Sequence, residues 1–255
     1  MDAQVSDSPR ACPNFRSCLL NKSLHSQVES AIQIAFDPRA DQNLKAQAYE
    51  FLQQLRDDAS GWQVCLALFT RNPPPDEVVR HVCLELVSHA VQTGRLDEQS
   101  LSYVKDQLMT YIHQTFANQS NRVDSPSIQN KLTQTITYLF TSLYATVWPT
   151  FFEDFRSLAG DANAIGSDNP QGTILYLRII NSIHDEIADV LIPRTPEELK
   201  RNADLKDYVR SRDAQNISTF WQQVLARWRQ IDLGIVELCL RCVARWVSWI
   251  DISLV

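Results

Sequence analysis

The stretch Asn130-Lys131-Leu132-Thr133-Gln134-Thr135-Ile136-Thr137-Tyr138-Leu139-Phe140-Thr141-Ser142-Leu143-Tyr144-Ala145-Thr146-Val147-Trp148-Pro149-Thr150-Phe151-Phe152 decides the fold of this chain. Together with Ile128, the residues Leu132, Ile136, Leu139, Phe140, Leu143 and Val147 step by threes and fours, which stacks them on one face of a helix. The opposite face carries Lys131, Gln134, Thr135, Thr141 and Ser142 and is expected to meet solvent or a partner. Ser125-Pro126 reads as an N-cap followed by a first-turn proline. Pro149 pushes Trp148 out of helical geometry and ends the helix. A second helix is expected from Pro149, with Val147 packing on Phe152 as a hydrophobic staple. The unit is a helix, a tight corner filled with aromatics, and another helix.

Helical periodicity extends outward in both directions. On the N-terminal side, Val28 to Phe36 is short. Asp41 caps a stripe of Leu44, Ala48, Phe51, Leu52 and Leu55, and Ser60 with Gln63 forms a capping box for the next helix. Pro73-Pro74-Pro75 breaks that helix, Val79 to Ala90 stripes the following one, and Gly94 closes it. Asp97 opens another. On the C-terminal side, Asn169-Pro170 and the capping box Thr195-Pro196-Glu197-Glu198 each start a helix, and Asp232 opens the last, through Cys239, Cys242 and Trp246. No run of period two occurs, so no sheet is expected. Helix pairs recurring at roughly 35 to 60 residues predict an all-α superhelix of HEAT-like pairs, with a closed bundle as the alternative.

Composition narrows the function. A 255-residue chain with 44% hydrophobic residues and only 6 Gly can bury a sizeable core. A net charge of −6 argues against a general nucleic-acid coat, so any RNA contact must come from a local patch. No apolar run is long enough to span a bilayer. Six scattered Cys and no secretory h-region point to a reducing compartment. Cys239-Leu240-Arg241-Cys242 has CxxC spacing but no second pair, and both cysteines lie on an apolar stripe, so packing is expected and metal is not. His184-Asp185-Glu186 reads as a solvated face. No phosphate loop, dinucleotide fingerprint or nucleophile elbow is present, and neither an enzyme nor a cofactor is expected. Trp62, Trp148, Trp221, Trp228 and Trp246 read as core, leaving Trp249 as the exception. The one basic helix carries Lys200, Arg201, Lys206, Arg210 and Arg212 among Glu197, Glu198, Asp204, Asp207 and Asp213. That pattern fits a solvated surface or a phosphate site, and Arg227, Arg229, Arg241 and Arg245 follow later in the chain.

Three motifs occur in order: Asn130-Lys131 leading to Trp148-Pro149-Thr150-Phe151-Phe152; Asn169-Pro170-Gln171-Gly172 with Leu175-Tyr176-Leu177-Arg178-Ile179; and Trp246-Val247-Ser248-Trp249-Ile250-Asp251-Ile252-Ser253-Leu254. Over about residues 28 to 255, the chain resembles the exportin branch of the importin-β superfamily, in particular its fungal tRNA-export members. The resemblance implies a non-enzymatic receptor that binds Ran in its GTP form together with tRNA in the nucleus and releases both in the cytoplasm. It also implies passage through the nuclear pore, contacts with pore proteins, no membrane association and a monomer.

For Ran, the resemblance points to Asn130 and Lys131, with Gln54, Arg80 and Glu85 taken from the solvent faces of earlier inner helices. For tRNA it adds weight to Lys200, Arg201, Lys206, Arg210 and Arg212. Such receptors are several times longer, so the chain reads as an N-terminal part: an insertion or extension over 1–27, importin-β-type repeats over 28–115, and exportin-type repeats over 116–255. Receptors for protein cargo, and a helical-repeat scaffold without a transport role, are the other readings.

Overall fold

The structure is a computed structural model that describes residues 23–117, 124–160 and 168–250. The described residues form eleven α-helices and one π-helical turn, and no strand. We number the helices α1 (Leu24–Phe36), α2 (Gln42–Asp57), α3 (Gly61–Thr70), α4 (Glu77–Gln92), α5 (Glu98–Ile112), α6 (Pro126–Leu143), α7 (Phe151–Ser157), α8 (Pro170–Ile187), α9 (Pro196–Arg212), α10 (Ala214–Trp228) and α11 (Leu233–Trp246). The π turn, His113–Ala117, follows α5. The chain divides into two compact units, residues 1–86 and 87–255, with the boundary inside α4. No helix among the described residues is long and apolar enough to cross a membrane.

Most of the helix starts are written in single side chains. Asp41, Asp97, Ser125, Asn169 and Asp232 each accept a bond from a backbone N–H in the first turn of their helix. Thr195 and Glu198 form the full reciprocal capping box. Gly94 takes the left-handed φ of +66° that closes α4. Two expectations need correction. Ser60 makes no capping bond, because Asp58 Oδ1 takes its hydroxyl at 2.7 Å. Residues 24–27, expected to lack helical order, form the first turn of α1, capped by Ser23. The rest of the expected N-terminal extension, residues 1–22, lies outside the described residues.

In the first unit, α1, α2 and α3 pack on one another. Val28, Ala31 and Ile32 from α1 and Cys65, Leu68 and Phe69 from α3 are fully buried. Transfer of the larger ones, Val28, Ile32, Leu68 and Phe69, from water stabilises by roughly 1.5–3 kcal/mol each. The Cys83 thiol, hydrogen-bonded to Cys65 and buried, is pushed well above the ordinary thiol range.

The second unit is built on α6. Its expected apolar stripe is buried as far as Leu143, and two threonines off that stripe are buried as well: Thr135 is 0% exposed and Thr137 2%. Of the expected polar face, Lys131, Gln134 and Thr141 are half-buried and Ser142 is exposed, while α8 packs on the side of Thr137. Each buried threonine returns its hydroxyl to the carbonyl four residues back, and Thr137 also meets Ser182 of α8 at 2.8 Å. The aromatic corner forms as read. Trp148 is 2% exposed, its Nε1–H donates to Asp154 at 2.7 Å, and its ring lies edge-on to Phe151. The boundaries differ from expectation. α6 ends at Leu143, a turn follows, and α7 starts at Phe151. Val147 therefore points outward at 40% exposure and staples nothing.

Pairings of side chains give the helix directions. Asn130 meets Arg178 and Thr137 meets Ser182, so α6 and α8 run the same way. Leu177 meets Cys242 and Ile180 meets Trp246, so α8 and α11 also run the same way. Before α11 in the chain, α10 packs on it in the opposite sense across the short turn 229–232, and Phe220 lies edge-on to Tyr176 of α8 while Val224, Trp228 and Thr173 line one cavity. Alternate helices in parallel with antiparallel partners between them is the pattern of HEAT-like pairs.

Candidate nucleic-acid interface

The frame that places α8 is the Asn169–Gly172 motif. Asn169 Nδ2 donates to two main-chain carbonyls, Phe116 O at the π turn and Leu158 O after α7, while its Oδ1 accepts from Gly172 N at 3.1 Å. All its side-chain capacity as donor is used on buried carbonyls that would otherwise be orphaned. Gly172 is required by that approach, since a Cβ there would sit 2.1 Å from Leu158 O. With its start fixed, α8 directs Arg178, Asn181, Ser182 and Asp185 toward one side.

There α6, α8 and α11 enclose a polar trough of about 260 Å³, lined by Asn130, Arg178, Asn181, Asp185, Arg241 and Arg245 among others. Arg245 donates to Asp185 and reaches Asn181 Oδ1 at 3.5 Å. Arg241, one turn back on the same face, pairs with exposed Glu237 at 3.0 Å. Half-buried Arg178 differs from both. Among the described residues its guanidinium has one partner, the neutral Asn130 Oδ1 at 3.5 Å, and no carboxylate. Asn181 is held by donating to Leu177 O and Cys242 Sγ. His184, expected on a solvated face, is half-buried, and burial and then Arg245 hold its imidazole below the ordinary pKa. Beneath the trough, Cys239 and Cys242 are fully buried, as packing residues are, with burial pushing the Cys239 thiol up to about 12. A larger cavity of about 630 Å³, floored by Phe220, Val224 and Trp228, gathers no such charge: on its rim Arg156 pairs with Glu153 and Arg227 with Asp168.

The basic helix α9 is arranged otherwise. At 3.6 residues per turn, Arg201 and Arg212 face one side while Lys206 and Arg210 face nearly the other, so the five cations do not converge. Three of them hold the fold together. Arg201 bonds Glu186 at 3.1 Å, which Arg194 also binds at 2.9 Å. Arg210 pairs with Asp207 and donates to Trp249 O at 2.7 Å. Arg212 lies over the Tyr144 ring at 4.4 Å, and the Tyr144 hydroxyl donates to Asp213. Lys200 is exposed and Lys206 half-buried.

Of the residues expected to face Ran, Gln54 and Glu85 are exposed. Arg80 is not: at 5% exposure it stacks on Phe69 at 5.3 Å, because the aliphatic stem and planar head cover an apolar ring. Lys131 is half-buried and bonds Gln134 at 2.7 Å, while Asn130 is exposed at the trough. Gln54, Arg80 and Glu85 belong to the first unit and Asn130 and Lys131 to the second. Sequence reading had Arg241 and Arg245 only as later basic residues and did not single out Arg178. The available signal was that Arg241 and Arg245 are four apart, off the apolar stripe of α11.

Helix pairs with parallel successive members, and a match of residues 125–255 to the family described as Exportin 1-like protein, define the class: the chain belongs to the Exportin 1-like family. The match begins at Ser125, the cap of α6. The chain is 54% identical over 91% of its length to Exportin-T of Phaeosphaeria nodorum, covering 22% of that protein. It is 52% identical to Exportin-T of Aspergillus oryzae and 51% to that of Neurospora crassa, each over 91% of this chain and 23% of the relative. It thus spans less than a quarter of the length of these relatives.

Proposed function

We propose that this chain acts in nuclear export of tRNA, as part of a receptor that binds tRNA and RanGTP together in the nucleus and gives up both in the cytoplasm. The observation that carries the reading is the identity of more than half with proteins named Exportin-T over nearly the whole chain. The receptor would not itself hydrolyse GTP. Its travel through the pore would involve nuclear pore proteins. Physically the two ligands are linked by a coupling free energy, each favouring the helix arrangement that the other binds best. Recognition by stem shape and phosphates suits a surface with no base-reading motif. Gln54, Glu85, Asn130 and Lys131 are retained as Ran-facing residues, and Arg80 supports its helix from within.

The test is capture of Ran locked in the GTP or GDP state on immobilised chain, with tRNA added as a second ligand. Retention of RanGTP over RanGDP, with tRNA bound as well, is expected. Retention of RanGTP with no affinity for tRNA would make the protein a receptor for protein cargo. Retention of neither would return it to a helical scaffold.

A further inference from the structure

Helix α6 keeps one narrow edge partly open. Of residues 131–140, Lys131, Gln134 and Tyr138 are half-buried and the other seven are buried. Spacings of three and four residues put these three on one line along the helix. The line is also bonded end to end. The Lys131 ammonium donates to Gln134 Oε1 at 2.7 Å, and Gln134 Nε2 donates to the Tyr138 hydroxyl at 3.0 Å. An ammonium can only donate, so the Gln134 amide has a single workable orientation, and Tyr138 serves as its acceptor. The relay fixes where the Lys131 charge sits. Because the amide is neutral, this bond does so without cancelling the charge. The cations of α9 are held differently, Arg201 by Glu186 and Arg210 by Asp207, both carboxylates.

We propose that Gln134 and Tyr138 are positioning residues for RanGTP binding: Gln134 holds the Lys131 ammonium in place for a carboxylate of the bound protein, and Tyr138 holds Gln134. The proposal rests on the reading of Lys131 as a Ran-facing residue. A lysine on an unrestrained stem loses rotamer freedom when a partner captures its head, and a stem already held loses less. The gain reaches the partner through Lys131 alone, so neither Gln134 nor Tyr138 needs to touch it. A carboxylate in place of the amide would hold the stem equally well but offset the charge. A neutral holder is therefore what the site requires.

The test titrates the immobilised full chain with Ran locked in the GTP state, comparing parent and variants at low and moderate salt. Gln134→Met keeps the length of the side chain and loses the amide. It should weaken binding about threefold to tenfold, the range expected for releasing one long side chain. Tyr138→Phe, which removes one hydroxyl, should weaken it less and in the same direction. Both should keep the parent's dependence on salt, because the Lys131 charge remains. Lys131→Met should weaken binding and flatten that dependence. Gln134→Glu should also weaken binding, since its carboxylate neutralises the ammonium it holds. In a Lys131→Met background, Gln134→Met should bring no further loss, a result that general loosening of α6 would not give. An unaltered circular dichroism spectrum establishes that each variant is folded. No loss in Gln134→Met, or an equal loss with and without Lys131, overturns the relay and leaves Lys131 as a Ran contact. An unchanged affinity in Lys131→Met, with the parent preferring RanGTP over RanGDP, overturns the relay and the Ran role of Lys131 while the export reading stands. A parent without that preference overturns the relay and the Ran reading together.

Discussion

Two basic regions of the second unit differ in the sequence and differ again in the fold. Helix α9 holds five cations in 13 residues, and the trough draws its three arginines from positions 178, 241 and 245. Yet the cations of α9 point to separate sides, and three of them secure neighbouring elements. The arginines of the trough converge because α8 and α11 are parallel neighbours. Local density of charge measures solubility and helix capping as much as recognition. A site is made where distant residues meet around a cavity that is not already filled.

That contrast can be broken most forcefully at its frame. Trp148→Ala should destabilise the second unit by about 3–5 kcal/mol, since the buried ring fills the corner that ends α6. Chemical denaturation measures this, and a cost near zero would mean that the corner does not hold the trough's first wall. Asn169→Ala comes next, at about 2–4 kcal/mol, because it removes a cap and strands two buried carbonyls. RNA affinity should fall in that variant only as far as folding does. On the α9 side, Arg212→Ala should cost about 1 kcal/mol through loss of its stacking on Tyr144, with no change in the salt slope for RNA. If that slope moved, the distinction between the two regions would fail.

The smallest effect concerns acid. Burial, and then the Arg245 guanidinium, depress the folded-state pKa of His184, with Asp185 and Asp189 acting the other way. Stability contributed by the neutral imidazole is present above the unfolded value of about 6.5 and is lost as pH falls through the folded one. His184→Gln should therefore make the thermal midpoint less sensitive to acidification below about pH 6.5 than in the parent.

The sequence made the helices legible because their caps are local: Asp41, Ser125, Asn169, Thr195 and Asp232 need only the next three residues to act. The corner was legible too, since proline and clustered aromatics leave few alternatives. What periodicity could not give was which faces are covered twice. Thr135 and Thr137 look polar, but a threonine can bond its own helix and be buried by a neighbour. Arg80 failed for the same reason, a charged head laid over Phe69. The trough was invisible because its members are brought together by the parallel course of α8 and α11, which no window of sequence contains.

The Asn169 clamp has one more consequence, for handling the protein. Its backbone N–H reaches Ala159 O at 3.3 Å, its side chain holds Leu158, and Asp168 beside it is paired with Arg227. The two stems of the stretch 161–167 are thus fastened to each other before the chain enters it. A spectroscopic label placed beside this joint, on exposed Ser157 at the end of α7, would report on the second unit while leaving α6, α8 and α11 as they are.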